Sequence, residues 1–244
     1  MLHLEILVIL QNYLNKFQKS KNEQLEKSQQ EYKNIQNIFN YTICFHLQNQ
    51  WHPYSIKTIQ FMKIQYQDST TTIFESALYQ TTSTVINLEK LILIVDPNWL
   101  PIEIETIQIY VSKIRYSKPV YLLFTHSDYD HIIGYRAFPE AKVIASEAFK
   151  NNPNKEKTIA QINNFDDENY ILRNYPIKYP TVDIMVSCDF QKIKIEEVEF
   201  IFCKAIGHNS DGIFTMIPSL GIFIVGDYLC EVEFPFIYVS GFLY

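Results

Sequence analysis

The chain has 244 residues, of which 47% are hydrophobic and 15% aromatic, a composition typical of globular proteins rather than disordered or fibrous ones. The 21 basic and 27 acidic residues give a formal net charge of -6. This balance argues against a general binding surface for nucleic acid or anionic membranes, so we expect neither partner.

The cysteines are widely spaced and form no Cys-x-x-Cys motif: Cys44, Cys188, Cys203 and Cys230. In a chain of this size we expect reduced core thiols rather than disulfides, and hence a reducing, cytoplasmic compartment. The apolar segment 1–10 lacks the basic start and the small-residue cleavage site of a secretory signal. It is also too short to cross a membrane.

Residues 11–50 are rich in Gln, Asn and Lys and show an intermittent helical spacing of apolar residues. No motif that carries chemistry lies there. We therefore predict a helical N-terminal extension over residues 1–52 and a main domain over residues 53–244.

The main domain begins with β-branched and aromatic residues in partial alternation over 56–66 and 70–80, followed by short apolar runs over 83–87 and 91–95. This texture predicts strands. After the turn signal Asp96-Pro97-Asn98-Trp99, apolar residues recur at helical spacing from Ile104 to Ile114. Pro101 suits a first helical turn, so we predict a helix here.

Strands are predicted next over 119–124 and 142–146, and a polar stretch to about residue 174 should be helical or irregular. Short apolar runs then predict strands over 198–203, 212–217 and 221–226. The order of strands, helix, strand, helix and strands indicates an α/β or α+β sandwich.

The segment Phe-Thr-His-Ser-Asp-Tyr-Asp-His-Ile-Ile-Gly, residues 124–134, places His126, Asp128, Asp130 and His131 directly after a predicted buried strand. Neighbouring carboxylates repel one another unless a cation lies among them. Two later residues also follow predicted strands, His208 and Asp227. A divalent metal ion would make such clustering favourable, so the pattern indicates a metal site.

Simpler interpretations exist for single residues. The cluster could be a solvated loop that caps the next helix, with Asp130 as the N-cap residue. Asp96 is interpreted as a turn former or a hydrogen-bond acceptor behind the metal ligands, and Asp211 as a turn residue. The aromatic residues near these motifs are interpreted as core residues rather than pocket walls: Trp99, Tyr129, Phe234, Phe236 and Tyr238. Cys230 is interpreted as a buried thiol.

From about residue 56 onwards the chain resembles the metallo-β-lactamase superfamily. Segment 124–134 is similar to its His-x-His-x-Asp-His signature, and Ile-Gly-His-Asn-Ser-Asp-Gly, which contains His208, is similar to its third histidine motif. Val-Gly-Asp-Tyr-Leu, with Asp227, resembles the segment of its bridging aspartate. Leu-Ile-Val-Asp-Pro-Asn-Trp, with Asp96, resembles the strand that ends beneath its metal site.

The resemblance implies a four-layer αβ/βα sandwich with one or two divalent metal ions. It implies that the first ion is held by His126, Asp128 and His208. It also implies that Asp130 and His131 hold the second ion and that Asp227 bridges the two.

The chain departs from the family pattern in two ways. Asp128 stands where the signature has its second histidine, so the first ligand set is harder. We expect zinc, with manganese or iron as alternatives. No histidine follows His208, which leads us to expect a second ion with one ligand fewer and a sandwich without its last strand and helix.

The resemblance implies a metal-dependent hydrolase that acts on a small-molecule ester, thioester, lactone or phosphoester, with Asp130 orienting the attacking water. The main alternative is a catalytically inactive binding or scaffold protein of the same fold. A nucleic-acid phosphodiesterase is disfavoured by the net charge, and an iron-containing oxidoreductase is the third alternative.

Overall fold

The computed structural model describes residues 62–229, which lie within one compact unit, Ile59–Tyr244. The predicted N-terminal extension, its boundary at residue 52 and Cys230 lie outside the described residues, as do Phe234, Phe236 and Tyr238. Those expectations stay predictions.

A sheet of seven strands forms the first half of the described fold. Its strands follow one another in chain order: β1 Lys63–Gln67, β2 Thr71–Glu75, β3 Thr82–Asn87, β4 Ile92–Val95, β5 Val120–Leu123, β6 Lys142–Ser146 and β7 Ile184–Val186. The strands β1 to β4 pair antiparallel, whereas β4 to β7 pair parallel. Parallel neighbours need crossover connections, and helices supply them.

The described helices are α1 Pro101–Arg115, α2 Tyr129–Ile132, α3 Glu147–Lys150 and α4 Lys155–Glu168. They share one apolar core with one face of the sheet, through Ile104, Ile107, Ile132, Phe149 and Ile162. The predicted helix is confirmed as α1, with Pro101 at its start.

A second, antiparallel sheet contains β8 Gln191–Ile195, β9 Val198–Lys204, β10 Ile213–Ile217 and β11 Ile222–Ile224, in the order β11-β10-β9-β8. Alternate residues of its strands, such as Phe200 and Phe202, point towards the first sheet and pack against Leu93 and Leu123. Within residues 62–229 the layers are therefore helices, sheet and sheet, and the predicted mixed α/β class is confirmed.

Two details of the sequence prediction need correction. No prediction covers β7, which has three residues, or β8, whose outward lysines break the apolar run. Neither described cysteine is a buried core thiol: Cys188 is exposed in the turn between β7 and β8, and Cys203 is half-buried. No helix in the described part of the chain has the length and apolarity needed to cross a membrane.

The core between the sheets gives a test of this architecture. Phe200 is fully buried there and stacks on Phe202 with ring centroids 6.1 Å apart. We expect Phe200→Ala to lower the free energy of unfolding by about 3–5 kcal/mol, because it removes apolar contact and leaves a cavity. Chemical denaturation measures this value. The control Phe190→Ala, at a side chain that is 46% exposed, should cost less than about 1 kcal/mol; equal costs would contradict the packing.

Candidate metal centre

Strand direction brings the predicted site residues of the first sheet to one edge. The strands β4 and β5 are parallel neighbours, so their carboxyl ends lie side by side. Asp96 follows β4, and Thr125 and His126 come just after β5. The backbone N–H and the hydroxyl of Thr125 both donate to the Asp96 carboxylate, at 2.9 and 2.5 Å. Asp96 is therefore a hydrogen-bond acceptor for the residue that precedes His126.

The second sheet brings His208 and Asp227 to this edge. Both β9 and β11 run antiparallel to β10, so they run parallel to each other and end on the same side. His208 follows β9, and Asp227 lies in a short 3-10 turn after β11. The N–H of Ile213, at the start of β10, donates to the Thr125 carbonyl at 2.8 Å and thereby joins the sheets beside the site.

Two groups of potential metal-ligand atoms converge there, and the atoms of each group lie within 4.8 Å of one another. The first group is His126, Asp128 and His208. The Asp128 Oδ2 atom lies 3.3 Å from His126 Nε2 and 3.2 Å from His208 Nε2. These are the three residues that the resemblance assigns to the first ion.

The second group is His126, His131 and Asp227. The Asp227 carboxylate faces all three imidazoles, with its oxygens 3.2 Å from His131 Nε2, 3.8 Å from His126 Nε2 and 3.5 Å from His208 Nε2. Asp130 is outside both groups, although its Oδ2 lies 3.4 Å from His131 Nε2. A central carboxylate among three imidazoles is an arrangement that could hold one ion or two.

The rear nitrogens of two imidazoles face Thr125 and Asp96, and the contact of His131 Nδ1 with Asp96 lacks the alignment of a hydrogen bond. The Thr125 hydroxyl hydrogen points to Asp96, so its oxygen is left to accept from His126 Nδ1, 3.0 Å away. This network places the proton of His126 on Nδ1 and leaves the lone pair of Nε2 directed into the site. His131 Nδ1 lies 2.9 Å from Asp96 Oδ2, which turns its Nε2 towards Asp227.

The buried Nε2 atom of His126 tests whether a metal ion fits. The residue is only 3% exposed, and this atom has no aligned hydrogen-bond partner although Asp128 Oδ2 is 3.3 Å away. Buried nitrogen atoms need a partner, and a divalent ion among imidazole and carboxylate donors supplies one. The donor set therefore fits a metal ion.

The histidines of this segment are not solvated: His126 and His131 are each 3% exposed, whereas the side chain of Asp128 is 39% exposed. The N-cap residue of α2 is Asp128 and not Asp130, and its side chain makes no capping hydrogen bond.

The electrostatics of the site favour positive charge. Burial alone would lower the pKa of His131, but the nearby Asp227, Asp130 and Asp96 outweigh it and raise that pKa well above its ordinary value. Burial would raise the pKa of Asp227, yet the attraction of His131 lowers it overall. Burial dominates at Asp130 and raises its pKa.

Asp211 is a buried hydrogen-bond acceptor that supports the site, in addition to being a turn residue. It does lie in a turn, but it is 3% exposed, and its carboxylate accepts from the Ser127 N–H at 3.1 Å and from Asn152 Nδ2 at 3.3 Å. Its carbonyl accepts from the Ser146 hydroxyl at 2.7 Å. Asp211 thus fixes the backbone between His126 and Asp128, a role that sequence reasoning missed.

Tyr228 and Gly226 flank Asp227 and support the site through their contacts. The Tyr228 hydroxyl accepts from the His208 N–H at 2.9 Å and donates to the Ala205 carbonyl at 2.7 Å. Gly226 has a φ of +54°, and a Cβ there would lie 2.9 Å from Thr125 Oγ1. The segment of Asp227 can therefore approach β5 this closely only with glycine.

Trp99 is a buried core residue, and Tyr129 is half-buried against it. Trp99 is 3% exposed, and its ring lies 5.4 Å from that of Tyr129 and 5.1 Å from that of Phe165, between centroids. Arg173 donates to the Trp99 carbonyl at 2.8 Å and pairs with Asp166.

Comparison with known families agrees with this geometry. Residues 77–243 match the family described as the metallo-beta-lactamase superfamily, which is more than half of the chain. The chain belongs to the metallo-β-lactamase superfamily. The match includes every residue of the two ligand groups, and the family assignment predicted from the motifs is confirmed.

A comparison with solved structures also returned metallo-β-lactamases. The chain is 18% identical to the BLEG-1 B3 metallo-β-lactamase, with a TM-score of 0.49, over 66% of this chain and 73% of that one. It is 17% identical to a metallo-β-lactamase from Pontibacter korlensis, with a TM-score of 0.44, over 66% and 69%. For DIM-1 metallo-β-lactamase the identity is 13% and the TM-score 0.49, over 75% and 77%. A comparison with curated proteins gave no match.

Replacing Asp211 tests its anchoring role. We expect Asp211→Ala to lower the free energy of unfolding by about 1–3 kcal/mol, because the buried Ser127 N–H loses its acceptor. Chemical denaturation of chelator-treated protein measures this effect without any contribution from bound metal. The control Asp167→Ala removes an exposed carboxylate of α4 and should change stability by less than about 0.5 kcal/mol. A neutral Asp211→Ala variant would refute the anchor.

Proposed function

We propose that this protein is a metal-dependent hydrolase that uses a metal-activated water molecule. The observation that carries the proposal is the convergence of His126, His131, His208, Asp128 and Asp227 at one edge of the two sheets. Membership of the metallo-β-lactamase superfamily supports the same class of chemistry.

In this proposal His126, Asp128 and His208 hold a first divalent ion. Asp130 and His131 hold a second ion, and Asp227 lies between the two, consistent with its approach to all three imidazoles. Zinc is the proposed ion. The carboxylate of Asp128 makes the first ligand set more favourable to manganese or iron than three imidazoles would be.

A divalent ion bound here would polarise the substrate oxygen and lower the pKa of water at the site. The side chains supply orientation and proton transfer. Asp130 is 14% exposed at its side chain, and it orients the attacking water and accepts its proton. Asp96 and Thr125 keep the imidazoles of His131 and His126 turned towards the reaction.

A small molecule is the proposed substrate, of the ester, thioester, lactone or phosphoester class. The proposed location is the cytoplasm.

Elemental analysis of protein purified without chelator tests the metal site. We expect near-stoichiometric zinc, manganese or iron, and we expect His126→Ala to lose it, because His126 contributes to both ligand groups. The control Gln161→Ala, at an exposed residue of α4, should keep the metal. Iron with a visible absorption band would favour the oxidoreductase alternative. Absence of metal in the folded protein would favour an inactive binding protein.

Asp130→Asn tests the water-orienting role. At saturating metal we expect the variant to keep its fold and lose roughly 10²–10⁴-fold in kcat, because the amide cannot accept the proton of water. The measurement is turnover of whichever probe the wild type hydrolyses among p-nitrophenyl acetate, an acyl thioester, a γ-lactone and p-nitrophenyl phosphate. Asp167→Asn on α4 is the matched control. Full activity of Asp130→Asn would exclude the role.

A further inference from the structure

The two carboxylate oxygens of Asp128 face different surroundings. Oδ2 is directed at the imidazoles of His126 and His208, at 3.3 and 3.2 Å. Oδ1 instead accepts a hydrogen bond from Asn209 Nδ2 at 2.7 Å. The side chain of Asp128 is 39% exposed, so packing alone does not fix its rotation. The bond from Asn209 occupies the oxygen that faces away from the imidazoles.

The side-chain amide of Asn209 is oriented by a hydrogen bond to its oxygen atom. Its Oδ1 accepts from the Ser210 N–H at 2.7 Å. Exchanging the amide oxygen and nitrogen would place an oxygen against Asp128 Oδ1 and two N–H groups against each other at Ser210, which is unfavourable. The amide therefore has one satisfied orientation, and that orientation donates to Asp128.

The backbone around Asn209 is held in place as well. The Gly207 N–H donates to the Asn209 carbonyl at 3.4 Å, and the His208 N–H donates to the Tyr228 hydroxyl at 2.9 Å. Ile206 and Asn209 also form an isolated β-bridge. The turn that presents the His208 imidazole thus presents the Asn209 amide at a fixed distance from it.

We propose that Asn209 is a positioning residue that holds Asp128 as a one-oxygen ligand of the first metal ion. The inference rests on the proposed metal site. Without the bond, Asp128 can rotate, swing out to solvent or present both oxygens. A ligating histidine at position 128 would instead carry a ring N–H on its far side, which the Asn209 amide donor cannot satisfy. Asn209 therefore matches a carboxylate at this position and not the imidazole that the family signature has there.

The test is a double-mutant cycle on metal affinity with Asn209→Ala, Asp128→His and the double variant. Competition with a fluorescent chelator gives the Kd for Mn²⁺ and Zn²⁺. We expect Asn209→Ala to weaken Mn²⁺ binding about 10–100-fold in the wild-type background, the usual effect of losing a residue that orients a metal ligand. In the Asp128→His background it should change the Kd by less than about 2-fold.

Two further variants separate positioning from a general effect on the turn. Asn209→Asp keeps the side-chain size but replaces the donor with an acceptor, so it should weaken Mn²⁺ binding at least as much as Asn209→Ala. Ser210→Ala changes only an exposed side chain of the same turn and should leave the Kd unchanged. Thermal unfolding with excess chelator verifies that each variant is folded.

The outcomes distinguish this inference from the proposed function. Equal losses in both backgrounds, or an unchanged Kd in Asn209→Ala, would overturn the role of Asn209 while leaving the metal-dependent hydrolase intact. A wild-type protein that is folded but binds neither ion would overturn the proposed function and the role of Asn209 with it. Loss confined to the background that retains Asp128 would establish Asn209 as the positioning residue.

Discussion

The site depends on the way in which the two sheets are joined behind it. The buried carboxylate of Asp211 accepts the Ser127 N–H, and the Ile213 N–H donates to the Thr125 carbonyl. Both bonds connect the start of β10 to the segment that leaves β5. Ser127 lies between His126 and Asp128, so this connection sets the position of two potential ligands relative to His208.

Repulsion among the carboxylates is the second constraint, and it opposes the folding of the site unless positive charge offsets it. Asp96, Asp128, Asp130 and Asp227 lie around His131 and its neighbouring imidazoles, in surroundings that are mostly shielded from water. Carboxylates this close repel one another, and their burial is costly. The imidazoles offset part of that cost by accepting protons, and a divalent cation offsets more of it.

Features that depend on local sequence pattern could be predicted from the sequence, whereas roles that depend on contacts between distant segments could not. Helical spacing identified α1, and polar residues after apolar runs identified His126 and Asp227, because strand ends are visible in hydropathy. The strand β8 escaped because its outward lysines interrupt the apolar run. Asp211 and Asn209 escaped because nothing in their local sequence shows that they accept from Ser127 or donate to Asp128; those roles arise only when distant segments meet.

The sequence separation of the contacting residues determines how early in synthesis the site can form. His131 meets Asp227 across 96 residues, and Ser127 meets Asp211 across 84. A nascent chain emerges from its amino end, so the imidazoles after β5 leave the ribosome long before the carboxylate that faces them. An ion that needs Asp227 cannot nucleate the first sheet. In the proposed site, such an ion would bind only after translation has passed β11, and its binding would report that both sheets are complete.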